Sequence, residues 1–273
     1  MSFEMIVFDL DGTLLTADFQ LTDETLAAVE RIRALGLRIG VATGRSYLSA
    51  QPFLDQLQIT EPMVFSNGCV VDNPETGERE LLAGVPLETA LIALMLCDQF
   101  GLSAKAHLAD GSILKSNDTP WPGEGVHFVT GEVRPQLKAE LEEDPIKMVF
   151  CGDSEKLLAF KERVEQILGA KAQARLFQSH AYYVEMVNKN VSKGDTLKIL
   201  AQKLGLQNEQ LITVGDQEND YEMLKYFGLG IRVGTAHPNL AEVSQHQIAL
   251  PEEKGIEELY ELLIKEYGFT APT

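Results

Sequence analysis

Two carboxylates two residues apart, Asp9 and Asp11, follow directly on the apolar run Met5-Ile6-Val7-Phe8, in a segment that reads FDLDGTLL from Phe8 to Leu15. The run has the character of a buried strand. Side chains alternate along a strand, so extended backbone past Phe8 turns Asp9 and Asp11 to one side and Leu10 to the other. Two anions in one small space need a cation between them or a proton on one of them, and either answer is chemistry rather than packing. Gly12 and Thr13 supply turn residues at the carboxyl end of the strand, where open α/β sheets hold their ligands. A calcium loop does not fit, because its later ligand places fall on Thr13, Leu15 and Gln20, and the last of these should be glutamate.

A carboxylate at a strand end can attack phosphorus and form an aspartyl phosphate, which divides one hard displacement into two easier ones; Asp9 is the candidate. Magnesium prefers oxygen ligands and retains waters, so Asp9, Asp216 and an oxygen of Asp11 make a plausible partial shell that water and a substrate phosphate complete. Charge on a transferring phosphoryl group must be met by fixed donors. Thr43 offers a hydroxyl, Gly44 a backbone N–H near a helix start, and Lys193 a full positive charge. Taken singly, each has a plainer role: Thr43 as a helix cap, Lys193 as a solvated lysine, Asp216 and Asp220 as acids beside a helix N-terminus.

Taken together, the segments resemble the four motifs of the haloacid dehalogenase-like (HAD) phosphohydrolases, and specifically the Cof-type branch with a class IIB cap. FDLDGTLL is similar to the first motif; LRIGVATGR, from Leu37 to Arg45, to the second, with Thr43 ending an apolar strand; VSKG, from Val191 to Gly194, supplies the lysine of the third. LITVGDQENDYEM, from Leu211 to Met223, matches the GDxxNDxxM pattern of the fourth with Asp216, Asn219 and Asp220. The motifs occur in order from residue 9 to residue 220. The resemblance implies that Asp11 coordinates the metal through its backbone carbonyl, leaving its side chain to protonate the leaving alcohol and later to activate water. It also implies that the Leu10 N–H and the Asn219 side chain bind phosphate, and that Asp220 supports the metal shell from behind. One departure is Gly230 to Ala236, GIRVGTA, where Cof-type chains often read GVAMGNA; Arg232 and Thr235 replace a small residue and an asparagine.

At 273 residues and 45% hydrophobic composition the chain can bury a substantial core. Its formal charge of −18 opposes binding to nucleic acid or to an anionic membrane surface. The same charge makes locally placed cations necessary for holding phosphate. Cys69, Cys97 and Cys151 are widely spaced and odd in number, the pattern of reduced thiols in a cytoplasmic protein. No targeting segment is evident, and the apolar stretch Leu87 to Phe100 is too short and too interrupted to span a bilayer.

The elements that must position these residues alternate strand and helix, which predicts an α/β fold: a doubly wound, parallel, Rossmann-like sheet. Thr22 is placed to cap a helix through Leu35 with Leu26, Val29, Ile32 and Leu35 inward, before the strand Leu37 to Ala42. A helix from Tyr47 to Leu57, a strand Met63 to Phe65 and a hairpin around Asn73 to Gly77 follow. Between Val85 and Val187 the pattern becomes helix Leu87–Phe100, strands 102–107 and 112–115, helix 135–142, strand 146–150, helix 155–168 and strands 173–177 and 182–187. Two such units predict a small α+β domain with an antiparallel sheet. The expected organisation is a catalytic core, 1–84 and 188–273, interrupted by a cap, 85–187, that by the resemblance sets substrate specificity. Within the cap, Asn117 to Gly125, with Asp118, Trp121 and Glu124, reads as a surface loop or a substrate contact.

The sequence thus predicts a cytoplasmic, Mg2+-dependent phosphatase of small phosphate esters, sugar phosphates first, acting as a monomer or homodimer with no nucleic acid or membrane partner. The alternatives are a phosphohexomutase, a phosphatase of a flavin-pathway or pyridoxal phosphate intermediate, or a binding protein that kept the fold. The intact Asp9, Asp11, Thr43, Lys193 and Asp216 set argues against the last.

Overall fold

The computed structural model describes residues 3–121, 131–169, 172–180 and 182–270. In chain order the elements are β1 (Met5–Phe8), α1 (Asp23–Ala34), β2 (Arg38–Val41), α2 (Tyr47–Gln56), β3 (Met63–Phe65), β4 (Val70–Asp72), β5 (Arg79–Leu81), α3 (Leu87–Phe100), β6 (Ser103–His107), β7 (Ile113–Lys115) and β8 (Glu132–Val133). Then come α4 (Leu137–Glu140), β9 (Lys147–Cys151), α5 (Ser154–Leu168), β10 (Ala174–His180), β11 (Tyr183–Asn188), α6 (Lys193–Lys203), β12 (Leu211–Gly215), α7 (Tyr221–Tyr226), β13 (Leu229–Val233), β14 (His246–Ile248) and α8 (Gly255–Tyr267). The chain divides into two compact units, residues 1–80 with 192–273, and residues 81–191. These bounds fall a few residues outside the 84/85 and 187/188 divisions expected from the pattern.

The first unit is built on a parallel sheet in the order β14-β13-β12-β1-β2. All four residues of β1 are fully buried, as a strand covered on both faces requires. In register, Phe8 lies beside Val41 on one flank and Val214 on the other, so β1, β2 and β12 end together. The chain steps to β2 on one side of β1 and returns as β12 on the other, which makes their carboxyl ends the switch point where such sheets place ligands. Thr22 does cap α1, accepting from the Thr25 N–H at 3.1 Å. The buried stripe of α1 is Thr25, Ala28, Val29 and Ile32, so Leu26 and Leu35 sit at its margin instead of within it. Thr25 takes an inward place although polar, because its hydroxyl accepts from the Thr22 hydroxyl at 3.1 Å.

The second unit carries a six-stranded sheet in the order β10-β11-β9-β6-β7-β8. Its pairings are antiparallel except between β7 and β8. The short β8 is absent from the sequence expectation, and the helix expected over 135–142 shrinks to the single turn of α4, because two- and four-residue elements leave no periodic signal. Helix α5 starts at Asp153, whose carboxylate accepts from the N–H groups of Glu155 and Lys156. One sheet face packs on α3 and α5 through Ala104, Ala106, Met148, Phe150, Leu176, Val184 and Met186. Trp121 is buried and stacks on Tyr183 with centroids 5.6 Å apart, whereas Tyr182 is 46% exposed. Glu124 and the rest of the loop to Gly125 lie outside the described residues. No helix among the described residues is long and apolar enough to cross a membrane.

Candidate active site

Asp9, Thr43 and Asp216 stand just beyond the ends of β1, β2 and β12, Lys193 stands at the start of α6, and strand register brings the first three together. Asp9 follows β1, is 4% exposed, and is tied back by its own N–H to the Val214 carbonyl at 2.9 Å. Leu10 is buried, and its carbonyl accepts from the N–H groups of Thr13, Leu14 and Leu15, which rolls the chain into a tight turn. Its own N–H makes no hydrogen bond among the described residues. That turn passes through Gly12 at φ +78°, where a Cβ would lie 2.5 Å from Asp216 Oδ2, so both conformation and space demand glycine.

Lys193 opens α6 and is fully buried. Its Nζ lies 2.8 Å from Asp9 Oδ1 and 2.7 Å from Asp220 Oδ1, so two of its three donors are taken. Asp220 Oδ2 accepts from the N–H groups of Asp216 and Gln217 at 2.9 and 3.0 Å, leaving both Asp220 oxygens engaged by protein. Asp216 follows β12. Thr13 donates to its Oδ1 at 3.0 Å and Gln217 to its Oδ2 at 2.8 Å. Gly194 lets α6 approach the Glu222 backbone, which is how the lysine reaches the centre of the sheet end.

Asp9, Asp216 and Asp220 can each offer an oxygen within 4.8 Å of the others, all three side chains being buried. Three carboxylates against one ammonium leave two net negative charges in a space that excludes water. The consequence is visible in their proton affinities: burial pushes Asp9 well above the ordinary carboxylate range, opposed by Lys193 and reinforced by Asp220, Asp216 and Asp11. Burial likewise pushes Asp216 up to about 7, with Asp220 adding to it and Gln217, Lys193 and Thr13 opposing. Burial alone would lower Lys193, but Asp220 and Asp9 outweigh it and hold the ammonium above its usual value. A divalent cation with oxygen preference would cancel the residual charge, and the all-oxygen donor set fits magnesium.

Asp11 does not join this cluster through its side chain. Arg45, itself 7% exposed, grips the Asp11 carboxylate with Nε at 3.1 and 2.9 Å and Nη2 at 2.6 Å. Thr43 is fully buried, and its Oγ1 accepts from the Arg45 N–H at 3.1 Å, which leaves its O–H as a donor. The loop after β3 closes the constellation. Asn67, at φ 58°, donates its N–H to the Thr43 carbonyl and accepts from Asn219 Nδ2 at 2.8 Å, while a Cβ on Gly44 would lie 3.0 Å from its carboxamide oxygen. Sequence reasoning missed Arg45, Asn67, Thr13 and Gln217. The turn signal Ser66-Asn67-Gly68 was readable, but its tie to Asn219 spans 152 positions and follows from strand order. Arg232, the departure after the fourth motif, is absorbed structurally by hydrogen bonds to Ser244 and Gln247.

Comparison with known proteins agrees with this architecture. Residues 6–259 match the model of the haloacid dehalogenase-like hydrolases. A putative phosphatase of Streptococcus pyogenes is 28% identical over 94% of this chain and 96% of its own. The HMP-PP phosphatase of Escherichia fergusonii is 31% identical over 89% of this chain and 88% of its own. The solved structure of the HAD subclass IIB sugar phosphatase BT4131 superposes with a TM-score of 0.79, covering 98% of this chain and all of that one, at 18% identity, a likeness of fold. The match across nearly the whole chain, joined to the four motif residues gathered at one sheet end, means that the chain belongs to the haloacid dehalogenase-like hydrolase family, as an enzyme of its phosphatase type.

Proposed function

We propose that this enzyme hydrolyses small phosphorylated metabolites, sugar phosphates first among them, with Mg2+ and through an aspartyl phosphate on Asp9. The observation that carries the reading is the buried Asp9 carboxylate at the end of β1, held beside Lys193 and within reach of Asp216 and Asp220. The Streptococcus and Escherichia relatives, a putative phosphatase and an HMP-PP phosphatase, point to the same reaction class, and BT4131 to a sugar phosphate as the place to begin.

Asp9, Asp216 and the Asp11 carbonyl would hold the metal, which supplies charge neutralisation for the phosphoryl group and for the nucleophile. Asp220, with both oxygens engaged, fixes Lys193 and the loop carrying Asp216 rather than adding a ligand. The third Lys193 donor, the Thr43 hydroxyl, the Gly44 and Leu10 N–H groups and the Asn219 carboxamide meet the phosphoryl oxygens. Asp9 attacks phosphorus as the ester oxygen departs in line. The Asp11 side chain gives a proton to the leaving alcohol and then takes one from the water that splits the aspartyl phosphate, returning free Asp9 and inorganic phosphate. The 81–191 unit is the specificity element in this reading.

The test is release of phosphate from 4-nitrophenyl phosphate and a hexose phosphate panel, with and without Mg2+, for the wild type and Asp9→Asn. Asp9→Asn should lose several orders of magnitude, with a barrier raised by about 5 kcal/mol or more. Solvent 18O should enter the released phosphate. Turnover retained in Asp9→Asn overturns the covalent route, and interconversion of hexose phosphate isomers without phosphate release favours a mutase.

A further inference from the structure

The loop after β3 holds two adjacent non-glycine residues in left-handed backbone, Ser66 at φ 51° and Asn67 at φ 58°, and Gly68 continues them at φ 99°. Among the described residues no other two adjacent non-glycine residues share this conformation. Asparagine tolerates it and serine adopts it at a cost, so the surroundings must impose it. They do so through the backbone. The Ser66 N–H donates to the Arg45 carbonyl at 2.9 Å, the Asn67 N–H donates to the Thr43 carbonyl at 3.1 Å, and the Gly68 carbonyl accepts from the Thr196 hydroxyl at 2.6 Å. Gly68 sits so close to the start of α6 that a Cβ on it would run into the Ser192 carbonyl and lie 3.1 Å from the Lys193 backbone nitrogen. Both Ser66 and Asn67 are buried.

Three of the residues this turn lies against, Thr43, Gly44 and Lys193, are phosphoryl donors in the proposed reaction, and the Asn67 side chain reaches a further one, Asn219. Asn219 Nδ2 donates to Asn67 Oδ1 at 2.8 Å. Among the described residues this is the single hydrogen bond of the Asn219 carboxamide, because its Oδ1 is buried and accepts from none of them. The direction in which that carboxamide faces therefore hangs on Asn67. As it stands, Nδ2 keeps a second hydrogen to donate. Turned over, the same group would present a carbonyl oxygen to an anionic phosphoryl group, and a donor would become a source of repulsion.

We infer that Asn67 is a positioning residue for phosphate binding: it holds the Asn219 carboxamide with its N–H side toward the phosphoryl group, and the strained Ser66-Asn67-Gly68 turn brings it into place. The inference rests on the phosphatase reading, in which Asn219 meets a phosphoryl oxygen, and adds a residue that acts through Asn219 instead of on the substrate. Strain kept in a buried turn beside four such donors fits this role, since a relaxed turn would carry the Asn67 side chain elsewhere.

Asn67→Gly tests this, because glycine keeps the left-handed backbone while removing the carboxamide. In the full-length protein with Mg2+, calorimetric titration with inorganic phosphate should give a Kd raised about tenfold, the scale of one hydrogen bond to a charged group. With 4-nitrophenyl phosphate KM should rise by a similar factor and kcat should fall less, because the donor grips phosphate before and during the reaction. Asn219→Ala should lose as much by itself, and the double variant no more than either, whereas a general loosening of the loop would add to the loss of Asn219. Asn67→Ser, whose hydroxyl stops short of Asn219, should give the same Kd and supplies the measurement if the glycine variant does not fold. A phosphate Kd unmoved by these substitutions, losses that add in the double variant, or a fall in kcat with KM unchanged overturns the inference. Absence of hydrolysis with the phosphate Kd following the expected pattern would instead overturn the phosphatase reading and leave the positioning role standing.

Discussion

Asp216→Asn should make the metal-free protein more stable at pH 8 while abolishing its response to magnesium. In the metal-free state Asp216 is held at about 7, against 3.8 for an ordinary aspartate, a difference of roughly 3 pH units. Each unit corresponds to about 1.4 kcal/mol, so the buried carboxylate opposes folding by on the order of 4 kcal/mol once ionised. Below pH 4 the group is protonated in folded and unfolded chains alike and opposes nothing. Between pH 4 and pH 7 the unfolded chain releases its proton and the folded one retains it, so stability falls as pH rises, and above pH 7 the loss is complete. Asparagine keeps the acceptor for Thr13, and the exposed Gln217 side chain can rotate its amide to pair with the new NH2. Thermal unfolding in a chelator from pH 5 to pH 8 should therefore show the wild-type Tm falling by on the order of 10 °C and the variant falling less, its remaining fall coming from Asp9, which burial also holds above the ordinary carboxylate range. Added Mg2+ should raise the wild-type Tm far more at pH 8 than at pH 5.5, because binding at the lower pH must displace the Asp216 proton. A flat wild-type profile in chelator, or a variant no more stable than wild type at pH 8, refutes the electrostatic argument.

Lys193→Met strips the ammonium from between Asp9 and Asp220, leaving buried carboxylates facing one another; it should cost about 3–5 kcal/mol in denaturant unfolding and depress every substrate together. Gly12→Ala must place a Cβ against Asp216 Oδ2 at positive φ, so it should cost about 1–3 kcal/mol and weaken Mg2+ binding, measured by the metal dependence of Tm. Arg45→Met releases the Asp11 carboxylate and should lower kcat/KM for alkyl phosphates roughly ten- to a hundredfold more than for aryl phosphates, whose leaving groups need little protonation. Equal losses for both ester types would show that Arg45 does not orient the acid.

The legible part of the site was the part written at strand ends. Asp9, Thr43 and Asp216 each terminate an apolar run, so strand signals placed them before any pairing was known, whereas Lys193 came only from the likeness of VSKG to the third motif. The pairings themselves were not readable. Arg45 meets Asp11 across 34 positions and Asn219 meets Asn67 across 152, contacts that exist because β2, β1 and β12 are neighbours in register. The doubly wound sheet followed from alternating strands and helices, whereas β8 and α4 were too short to carry a period. On the sheet of the second unit, Lys105, Lys115 and Lys147 keep the alternation and lie opposite the apolar core face, yet they are buried, which the sequence did not show because a lysine declares its burial only once the strand is paired.

The central place of β1 also governs how this chain must be made. Its partner β2 emerges soon after it during synthesis, but β12, its other neighbour, begins 206 positions after Met5, at Leu211. At roughly 5–20 residues per second, a ribosome takes roughly 10–40 s to deliver it. Throughout that interval one edge of a strand whose four side chains are all destined for full burial stands without its partner, the condition under which strands pair with the wrong chain. The 81–191 unit is continuous in sequence and meets no such delay, so it can be complete while the first unit is still waiting for its middle. Slow translation, low temperature or a chaperone that shields Met5–Phe8 should therefore raise the yield of active enzyme, and fusing a strand-breaking mutation into β12 should leave the inserted unit folded on an aggregating chain.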